Sequence, residues 1–274
     1  MSEFDPKSAV ITGGASGIGL GLARALSDRG LKVLIADLPG ERLEELAAEG
    51  IRTQACDVSD LAQVEALAAA AFDTFDTVDL VFNNAGVGGP HGKLWEVDPE
   101  AARAHFDINF WGVWNGCRAF APRLVAQETP SAIYNTGSEN SLFPAFPQTA
   151  AYIGAKHAVL GITESMREDL PPHVHLGTII PGWVFTGIGA EKVMRQALPV
   201  EDYVEIILPQ ILGRRRFVVS HGYNQVRIAE RMDELSASYS EYATSIEGDE
   251  KYDVRLMFER ARKAAYEKKK QQGL

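Results

Sequence analysis

The amino-acid sequence predicts an α/β fold, a doubly wound parallel sheet covered by helices on both faces. Two observations lead to this prediction. Short apolar segments alternate with longer helical segments along the first 220 residues, as expected for βαβ units. The first apolar segment also runs into a glycine-rich turn that opens a helix. No linker-like segment or internal repeat interrupts the alternation, so we expect one domain over residues 1–222 and a charged helical extension over residues 223–274.

The composition is that of an ordinary globular protein. Of the 274 residues, 46% are apolar and 23% are charged, so the chain can bury a large core. A formal net charge of −10 argues against nucleic acid or an anionic membrane as the main partner. Cys56 and Cys117 lack metal-binding spacing, and no segment has the profile of a signal peptide or a membrane span. We therefore expect a cytoplasmic protein.

The first predicted strand, residues 8–11, leads into the glycine-rich segment 12–19 and then into a helix. Glycines let a backbone approach a pyrophosphate closely, and a helix N-terminus offers free N–H groups and partial positive charge. This order favours a Rossmann-like dinucleotide site over a tight turn that binds nothing. The residues expected to bind the cofactor here are Gly13, Ser16, Gly17, Ile18 and Gly19.

The second predicted strand, residues 31–36, is closed by Asp37. A carboxylate at this position can accept both hydroxyls of an adenosine ribose, and it repels a 2′-phosphate. Ala15 and Leu38 offer no cation to reverse that preference, and Arg42 is expected to face solvent on the next helix. The predicted cofactor is NAD.

The alternation of strands and helices continues along the chain. We predict further strands at residues 52–56, 78–82, 132–136, 175–180 and 216–220. Helices are expected at about 60–75, at about 98–126 with a bend near Gly112 or Gly116, and from Tyr152 to about Leu170. Asn109 lies in the middle of the second of these helices.

Tyr152 and Lys156 are four residues apart, so they share one face of the predicted helix. A cation one turn away favours the phenolate and lowers the pKa of a tyrosine. A desolvated ammonium together with a positively charged cofactor ring would make Tyr152 a general base near neutral pH. The spacing alone is weak evidence, because Tyr266 and Lys270 share it in the charged extension.

Taken together, these motifs resemble the short-chain dehydrogenase/reductase family. They occur in that family's order and spacing across residues 7–220, and the segment 109–122 is typical of alcohol-oxidising members. The matching residues are Thr12, Gly13, Gly17, Ile18 and Gly19, Asn83-Asn84-Ala85-Gly86, Asn109, Ser138, Tyr152, Lys156, and Pro181-Gly182-x-Val184-x-Thr186.

The resemblance implies a role for each catalytic residue. Tyr152 is the expected acid/base, and Lys156 is expected to bind the nicotinamide ribose and to lower the pKa of Tyr152. Ser138 is expected to hold the substrate oxygen, with Ser141 as an alternative because Ser138 lies one residue further from Tyr152 than is common. Asn109 is expected to hold a water that links Lys156 to solvent.

Cofactor contacts are implied in the same way. Asp37 is assigned to the adenosine ribose, Asp57 and Val58 to the adenine, and Asn84 to the backbone around the cofactor. Val184 and Thr186 are assigned to the nicotinamide carboxamide. The remaining expected cofactor contacts are Ala85, Gly86, Pro181 and Gly182.

Substrate contacts are expected where loops leave the carboxyl ends of the strands. Phe143, Phe146 and Trp183 lie in such loops and are candidates for an apolar substrate pocket, with core or interface packing as the alternative. Residues 188–198 are expected to form a lid. His91, His157, His173 and His175 lack ligand spacing, so no metal site is expected.

The extension replaces the glycine-rich ending common in the family. Its apolar residues recur on one helical face, which must pack on its own subunit or on a neighbour. These residues are Val254, Met257, Phe258, Ala261 and Ala265.

Two functions of different class remain open. The first is an NAD-dependent alcohol dehydrogenase or carbonyl reductase that acts on an apolar or aromatic secondary alcohol or ketone, as a homodimer or homotetramer. The second is a non-catalytic dinucleotide-binding redox sensor or scaffold. Joint retention of Asn109, Ser138, Tyr152 and Lys156 favours the enzyme. Substrate identity, stereochemistry and reaction direction stay open.

Overall fold

The computed structural model describes residues 4–186, 195–243 and 246–271. Seven strands form one parallel sheet in the order β3-β2-β1-β4-β5-β6-β7. The fold class predicted from the sequence is therefore confirmed. The strands are β1 Ser8–Thr12, β2 Lys32–Asp37, β3 Arg52–Ala55, β4 Leu80–Asn83, β5 Ser131–Thr136, β6 Val174–Ile180 and β7 Phe217–Val219.

Helices cover both faces of this sheet. The first seven are α1 Gly17–Ser27, α2 Glu41–Ala48, α3 Leu61–Thr74, α4 Pro99–Phe106, α5 Gly112–Gln127, α6 Ala150–Arg167 and α7 Val200–Leu212. Two more, α8 Asn224–Tyr242 and α9 Val254–Gln271, lie in the C-terminal part.

Two apolar layers hold the helices against the sheet. Side chains alternate across a strand, so Val10 and Ile11 of β1 enter opposite layers. Ile11 packs in the layer that contains α1 and α7, whereas Val10 packs in the layer that contains α3, α5 and α6. Because both faces are buried, the central strands carry almost continuous apolar runs.

The helix expected over residues 98–126 is interrupted. Its first part, α4, ends at Phe106, and a π-helical turn at Asp107–Trp111 precedes α5. The backbone N–H of Gly112 donates to the carbonyl of Asp107, five residues earlier. The irregularity therefore lies immediately before Gly112. It places Asn109 in the π-helical turn rather than in regular α-helix.

Helix α7 is absent from the sequence-based prediction. It follows Pro199, and Tyr203, Val204, Ile207 and Ile211 are fully or almost fully buried on one face. This spacing is typical of a helix that packs on a sheet. The apolar periodicity over residues 200–212 was sufficient to predict it.

The chain divides into two compact units, the first ending at Gln225 and the second beginning at Val226. In the second unit, Val254, Met257 and Phe258 of the predicted apolar stripe are each more than half exposed. The side chain of Ala265 lies outside the described residues. Among the described helices, none is both long and apolar enough to cross a membrane.

Candidate active site

The loops that follow β1, β4, β5 and β6 lie at one edge of the sheet, because parallel neighbouring strands end on the same side. This edge brings together segments that are far apart in the sequence. The glycine-rich turn, the Asn83-Asn84-Ala85-Gly86 segment, Ser138 and Pro181-Gly182 all follow these strand ends.

The glycine-rich turn is built for close backbone packing. Gly13 has a φ of +64°, and a Cβ at this position would lie 2.7 Å from the Cα of Ala85. A Cβ on Gly19 would collide with the carbonyl oxygen of Gly13. Helix α1 begins at Gly17, and the Ser16 side chain makes no capping hydrogen bond. The first N–H groups of α1 therefore remain available, which fits a pyrophosphate of a dinucleotide.

Asn84 stabilises this turn from the neighbouring strand. Its side-chain N–H group donates to the carbonyl oxygens of Thr12 at 3.1 Å and Gly13 at 3.3 Å. Its amide oxygen accepts from the hydroxyl of Thr136, at 3.3 Å. Asn84 thus joins the ends of β1, β4 and β5.

Asp37 stands at the end of β2, beside the same turn. One carboxylate oxygen accepts from the backbone N–H of Ala15 at 2.9 Å, and the other accepts from that of Leu38 at 2.8 Å. Leu38 is 57% exposed, and Arg42 pairs with Glu45 on the surface at 2.8 Å. Arg42 therefore faces solvent, as expected.

Asp57 and Val58 follow β3, which is the outermost strand on one side of the sheet. Asp57 accepts hydrogen bonds from the backbone and the hydroxyl of Ser59 at 2.9 and 2.7 Å. Val58 is buried, and its carbonyl accepts from the side chain of Asn115 at 2.9 Å. The loop expected to meet the adenine is thus held in place by α5.

Lys156 is buried on α6, and its ammonium donates to the carbonyl oxygen of Thr136 at 2.9 Å. The nitrogen lies 5.8 Å from the centre of the Tyr152 ring. Burial lowers the pKa of Lys156 to about 8. The structure therefore places Tyr152 and Lys156 together, as their spacing predicts.

The protein alone does not make Tyr152 more acidic. Burial of the Tyr152 phenol raises its pKa, and the negative charge of Glu139 raises it further. Only a hydrogen bond with Ser138 acts in the opposite direction among the causes that shift the pKa. In the protein without cofactor the pKa of Tyr152 is therefore raised. That Lys156 and a cationic cofactor ring together lower this pKa stays a prediction.

Two serines compete for the role of holding the substrate oxygen. Ser138 is buried at the end of β5, and its hydroxyl accepts from the backbone N–H of Asn140 at 3.2 Å. Ser141 donates its hydroxyl to the carbonyl of Lys156 at 2.7 Å and accepts from the N–H of Ser138 at 3.1 Å. Ser141 therefore holds backbone in place, whereas Ser138 interacts with the Tyr152 phenol.

Asn109 is buried in the π-helical turn. Its side-chain oxygen accepts from the N–H of Val87 at 3.3 Å, and its amide donates to the carbonyl of His105 at 3.2 Å. A Cβ on Gly86 would lie 2.8 Å from the Asn109 oxygen and 3.7 Å from the Lys156 nitrogen. Asn109, Gly86 and Lys156 therefore meet at one point.

His105 is a site residue that the sequence analysis missed. Its buried ring lies 5.9 Å from the Tyr152 ring, and Nδ1 lies 3.2 Å from the Asn109 side-chain nitrogen. Burial lowers its pKa, and the charge of Lys156 lowers it further. His105 is thus neutral at physiological pH. Its position four residues before Asn109 was the available signal.

The substrate-side candidates differ in exposure. Phe143 is buried, whereas Phe146 is 46% exposed and Trp183 is 40% exposed. Thr186 approaches the turn, because a Cβ on Gly17 would lie 3.3 Å from its side chain. Val184 is buried nearby. The predicted lid lies outside the described residues except for 195–198. Among the described residues, no cluster of three or more His, Cys, Asp or Glu side chains is placed to hold a metal ion.

Comparisons with known proteins agree with this geometry. Residues 7–197 match the family described as short chain dehydrogenase. The chain is 41% identical over 247 residues to 1-deoxy-11-beta-hydroxypentalenate dehydrogenase of Streptomyces avermitilis, covering 85% of this chain and 91% of the relative.

Two solved structures show the same architecture with different nucleotides. A short chain dehydrogenase/reductase from Burkholderia phymatum in complex with NAD has a TM-score of 0.77 and 31% identity, covering 87% of this chain and 97% of that one. A short chain dehydrogenase from Burkholderia cenocepacia in complex with NADP has a TM-score of 0.73 and 29% identity, covering 89% and 100%. The site thus resembles one that holds a nicotinamide dinucleotide.

Proposed function

The chain belongs to the short-chain dehydrogenase/reductase family of oxidoreductases, and from this premise we propose that it transfers a hydride between NAD and a secondary alcohol or ketone. The observation that carries the proposal is the meeting of Ser138, Tyr152 and Lys156 beside the glycine-rich turn. A non-catalytic sensor would need the turn and Asp37, but not a buried lysine beside a tyrosine.

Each side chain has a definite task in this proposal. The bound cofactor accepts or donates the hydride. Tyr152 takes the hydroxyl proton during oxidation and returns it during reduction, and Ser138 donates a hydrogen bond to the reacting oxygen. Lys156 holds the cofactor ribose and provides positive charge near the phenol. Asn109 supports a route by which the proton reaches solvent.

We propose an apolar or aromatic substrate. The aromatic side chains of Phe146 and Trp183 are partly exposed. They lie in the loops that follow β5 and β6, at the end of the sheet where Ser138 and Tyr152 also lie. Exposed aromatic rings favour a ligand whose apolar part packs on them while polar groups of the site orient its own polar group.

A screen of secondary alcohols with NAD and NADP tests the proposal. We expect reduced cofactor to accumulate, measured by its absorbance, with at least one apolar or aromatic alcohol. Calorimetry with the same cofactors is the control. Binding of cofactor without turnover of any alcohol or of the matching ketones would favour the sensor.

The NAD preference rests on Asp37. The double variant Asp37→Ser/Leu38→Arg is expected to shift the ratio of kcat/KM values from NAD toward NADP by roughly tenfold, which corresponds to about 1.4 kcal/mol. The substitution removes a repulsive charge and adds an attractive one. Arg42→Ala is the matched control and should leave the ratio unchanged, because Arg42 pairs with Glu45 at the surface. A wild-type preference for NADP would contradict this assignment.

We also propose a homodimer or homotetramer. Trp111 and Trp114 are 45% and 44% exposed and stack edge to face at 5.6 Å, and Phe110 lies 5.0 Å from Trp111. Such a cluster at the surface is typical of an interface. The cluster lies on the segment 98–126, and the family resemblance implies that this segment pairs with its copy across a twofold axis.

Truncation after Gln225 tests the part played by the C-terminal unit. We expect a smaller oligomer or a lower Tm, because α8 and α9 expose apolar side chains that a neighbour can cover. Each kcal/mol of lost contact should lower Tm by about 2–4 °C. Light scattering and thermal unfolding of both forms measure the effect. A full-length monomer at micromolar concentration would refute the oligomer, and an unchanged truncated oligomer would exclude the extension from the interface.

A further inference from the structure

The residue directly after Ser138 is a buried carboxylate. Glu139 is only 8% exposed, and both of its backbone polar groups are engaged. Its N–H donates to the carbonyl of Pro181 at 2.8 Å, and its carbonyl accepts from the N–H of Leu142 at 2.9 Å. The loops after β5 and β6 are therefore joined at this residue.

A tyrosine from the loop after β7 holds the carboxylate. The hydroxyl of Tyr223 donates to Oε2 of Glu139 at 2.9 Å, and the Tyr223 ring packs edge to face on His221 at 5.4 Å. His221 in turn lies 3.2 Å from the carbonyl oxygen of Trp183 through Nε2, and 2.7 Å from the Ser220 hydroxyl through Nδ1. One network thus connects the loops after β5, β6 and β7.

Gly182 shows how closely this network packs. A Cβ at Gly182 would lie 2.6 Å from the His221 ring and 3.0 Å from Oε2 of Glu139. The carboxylate therefore rests against the Pro181-Gly182 segment. Val184 and Thr186, which we assign to the nicotinamide carboxamide, follow in the same segment. The carboxylate of Glu139 thus lies against the loop assigned to the nicotinamide, one residue after Ser138.

The charge of Glu139 acts on two phenols. It contributes to the raised pKa of Tyr152, after the larger effect of burial. Partial burial, followed by the hydrogen bond and charge of Glu139, also raises the pKa of Tyr223 to about 12. Within the described part of the chain, the other polar or titratable side chains near Tyr152 include Ser138 on the β5 loop, His105 on α4 and Lys156 on α6.

We propose that Glu139 is a positioning residue for the reaction. Its carboxylate, which Tyr223 anchors, opposes negative charge on Tyr152. This opposition is relieved when the positive charge of an oxidised nicotinamide lies beside the carboxylate. The inference rests on the proposed function. Like charges close together destabilise each other, and an intervening cation relieves them. The same carboxylate favours the oxidised cofactor, whose ring is cationic, over the reduced cofactor, whose ring is neutral.

Glu139→Gln is the decisive variant, because glutamine keeps the size and the acceptor for Tyr223 but removes the charge. Calorimetry with NAD+ and NADH should show that the ratio of their dissociation constants shifts against NAD+ by roughly tenfold, the equivalent of one pKa unit. The pH at which kcat/KM for alcohol oxidation reaches half its maximum should fall by about one unit. Glu139→Ser is a second uncharged variant, and either one that folds decides the matter.

Tyr223→Phe is the matched control, because it keeps the charge and removes the anchor. We expect a lower kcat with an unshifted pH profile and an unshifted NAD+/NADH ratio. If the uncharged variants lower only Tm and kcat, Glu139 is merely structural and the proposal fails. If they change only KM for the alcohol, Glu139 contacts substrate and the proposal also fails. Calorimetry needs no alcohol, so failure to find a substrate would count against the proposed function alone.

Discussion

Replacing Tyr152 with phenylalanine is expected to lower kcat for alcohol oxidation by roughly a hundredfold or more, the usual effect of losing a general acid or base. Affinity for NAD should stay almost unchanged, because the substitution removes one hydroxyl and little contact area. Steady-state kinetics and calorimetry measure the two quantities separately. Tyr239→Phe, at a position 63% exposed in α8, is the matched control. Near-normal turnover by the Tyr152 variant would contradict the assignment.

The pH dependence of the wild type follows from the same residue. Because burial raises the pKa of Tyr152, the phenol is protonated at neutral pH in the protein without cofactor. A protonated phenol is ready to donate to a ketone, whereas oxidation of an alcohol requires the phenolate. Oxidation should therefore accelerate as the pH rises, and reduction should be favoured at lower pH.

Replacing Lys156 with alanine is expected to lower both kcat and cofactor affinity. The ammonium is buried, donates to the carbonyl of Thr136 and lies above the Tyr152 ring. Its removal deletes the charge that favours the phenolate, the assigned contact to the ribose, and the partner of a buried carbonyl. We expect a loss of roughly a hundredfold in kcat. Kinetics at saturating cofactor and calorimetry separate the two effects.

Lys156→Met is the control for packing, because methionine retains most of the apolar stem. It should keep a higher Tm than the alanine variant while losing turnover and affinity as that variant does. An effect on turnover without an effect on cofactor affinity, or the reverse, would separate two roles that we assign to one side chain.

The sequence was most informative where local pattern decides structure. The strand–turn–helix at residues 8–27 and the i, i+4 pair of Tyr152 and Lys156 depend on neighbours in the chain, and the structure places them as expected. The site roles drawn from those motifs remain predictions. Helix α7 was missed although its apolar spacing was available, because it carries none of the motif residues.

Other features depend on what the fold brings together. Spacing predicted that Lys156 is near Tyr152, but it could not show that both side chains are buried. Burial raises the pKa of Tyr152 and lowers that of Lys156 in the protein without cofactor. The contact between Glu139 and Tyr223 joins residues 84 positions apart. No periodicity in the sequence signals such a pair. The distinction between Ser138 and Ser141 likewise required the hydrogen bond from Ser141 to Lys156.

The π-helical turn at Asp107–Trp111 lets the helix hold one residue more than a regular α-helix would. Each residue of an α-helix turns the chain by about 100°. Because the wider turn takes up the extra residue, Gly116, where any Cβ would collide with the Asn83 side chain, faces β4 while Asn109 faces Lys156. An insertion or deletion in α4 or α5 that no such turn takes up would rotate one of these residues away from its partner by about that angle. Such changes of length should therefore be far less tolerated here than changes of side chain.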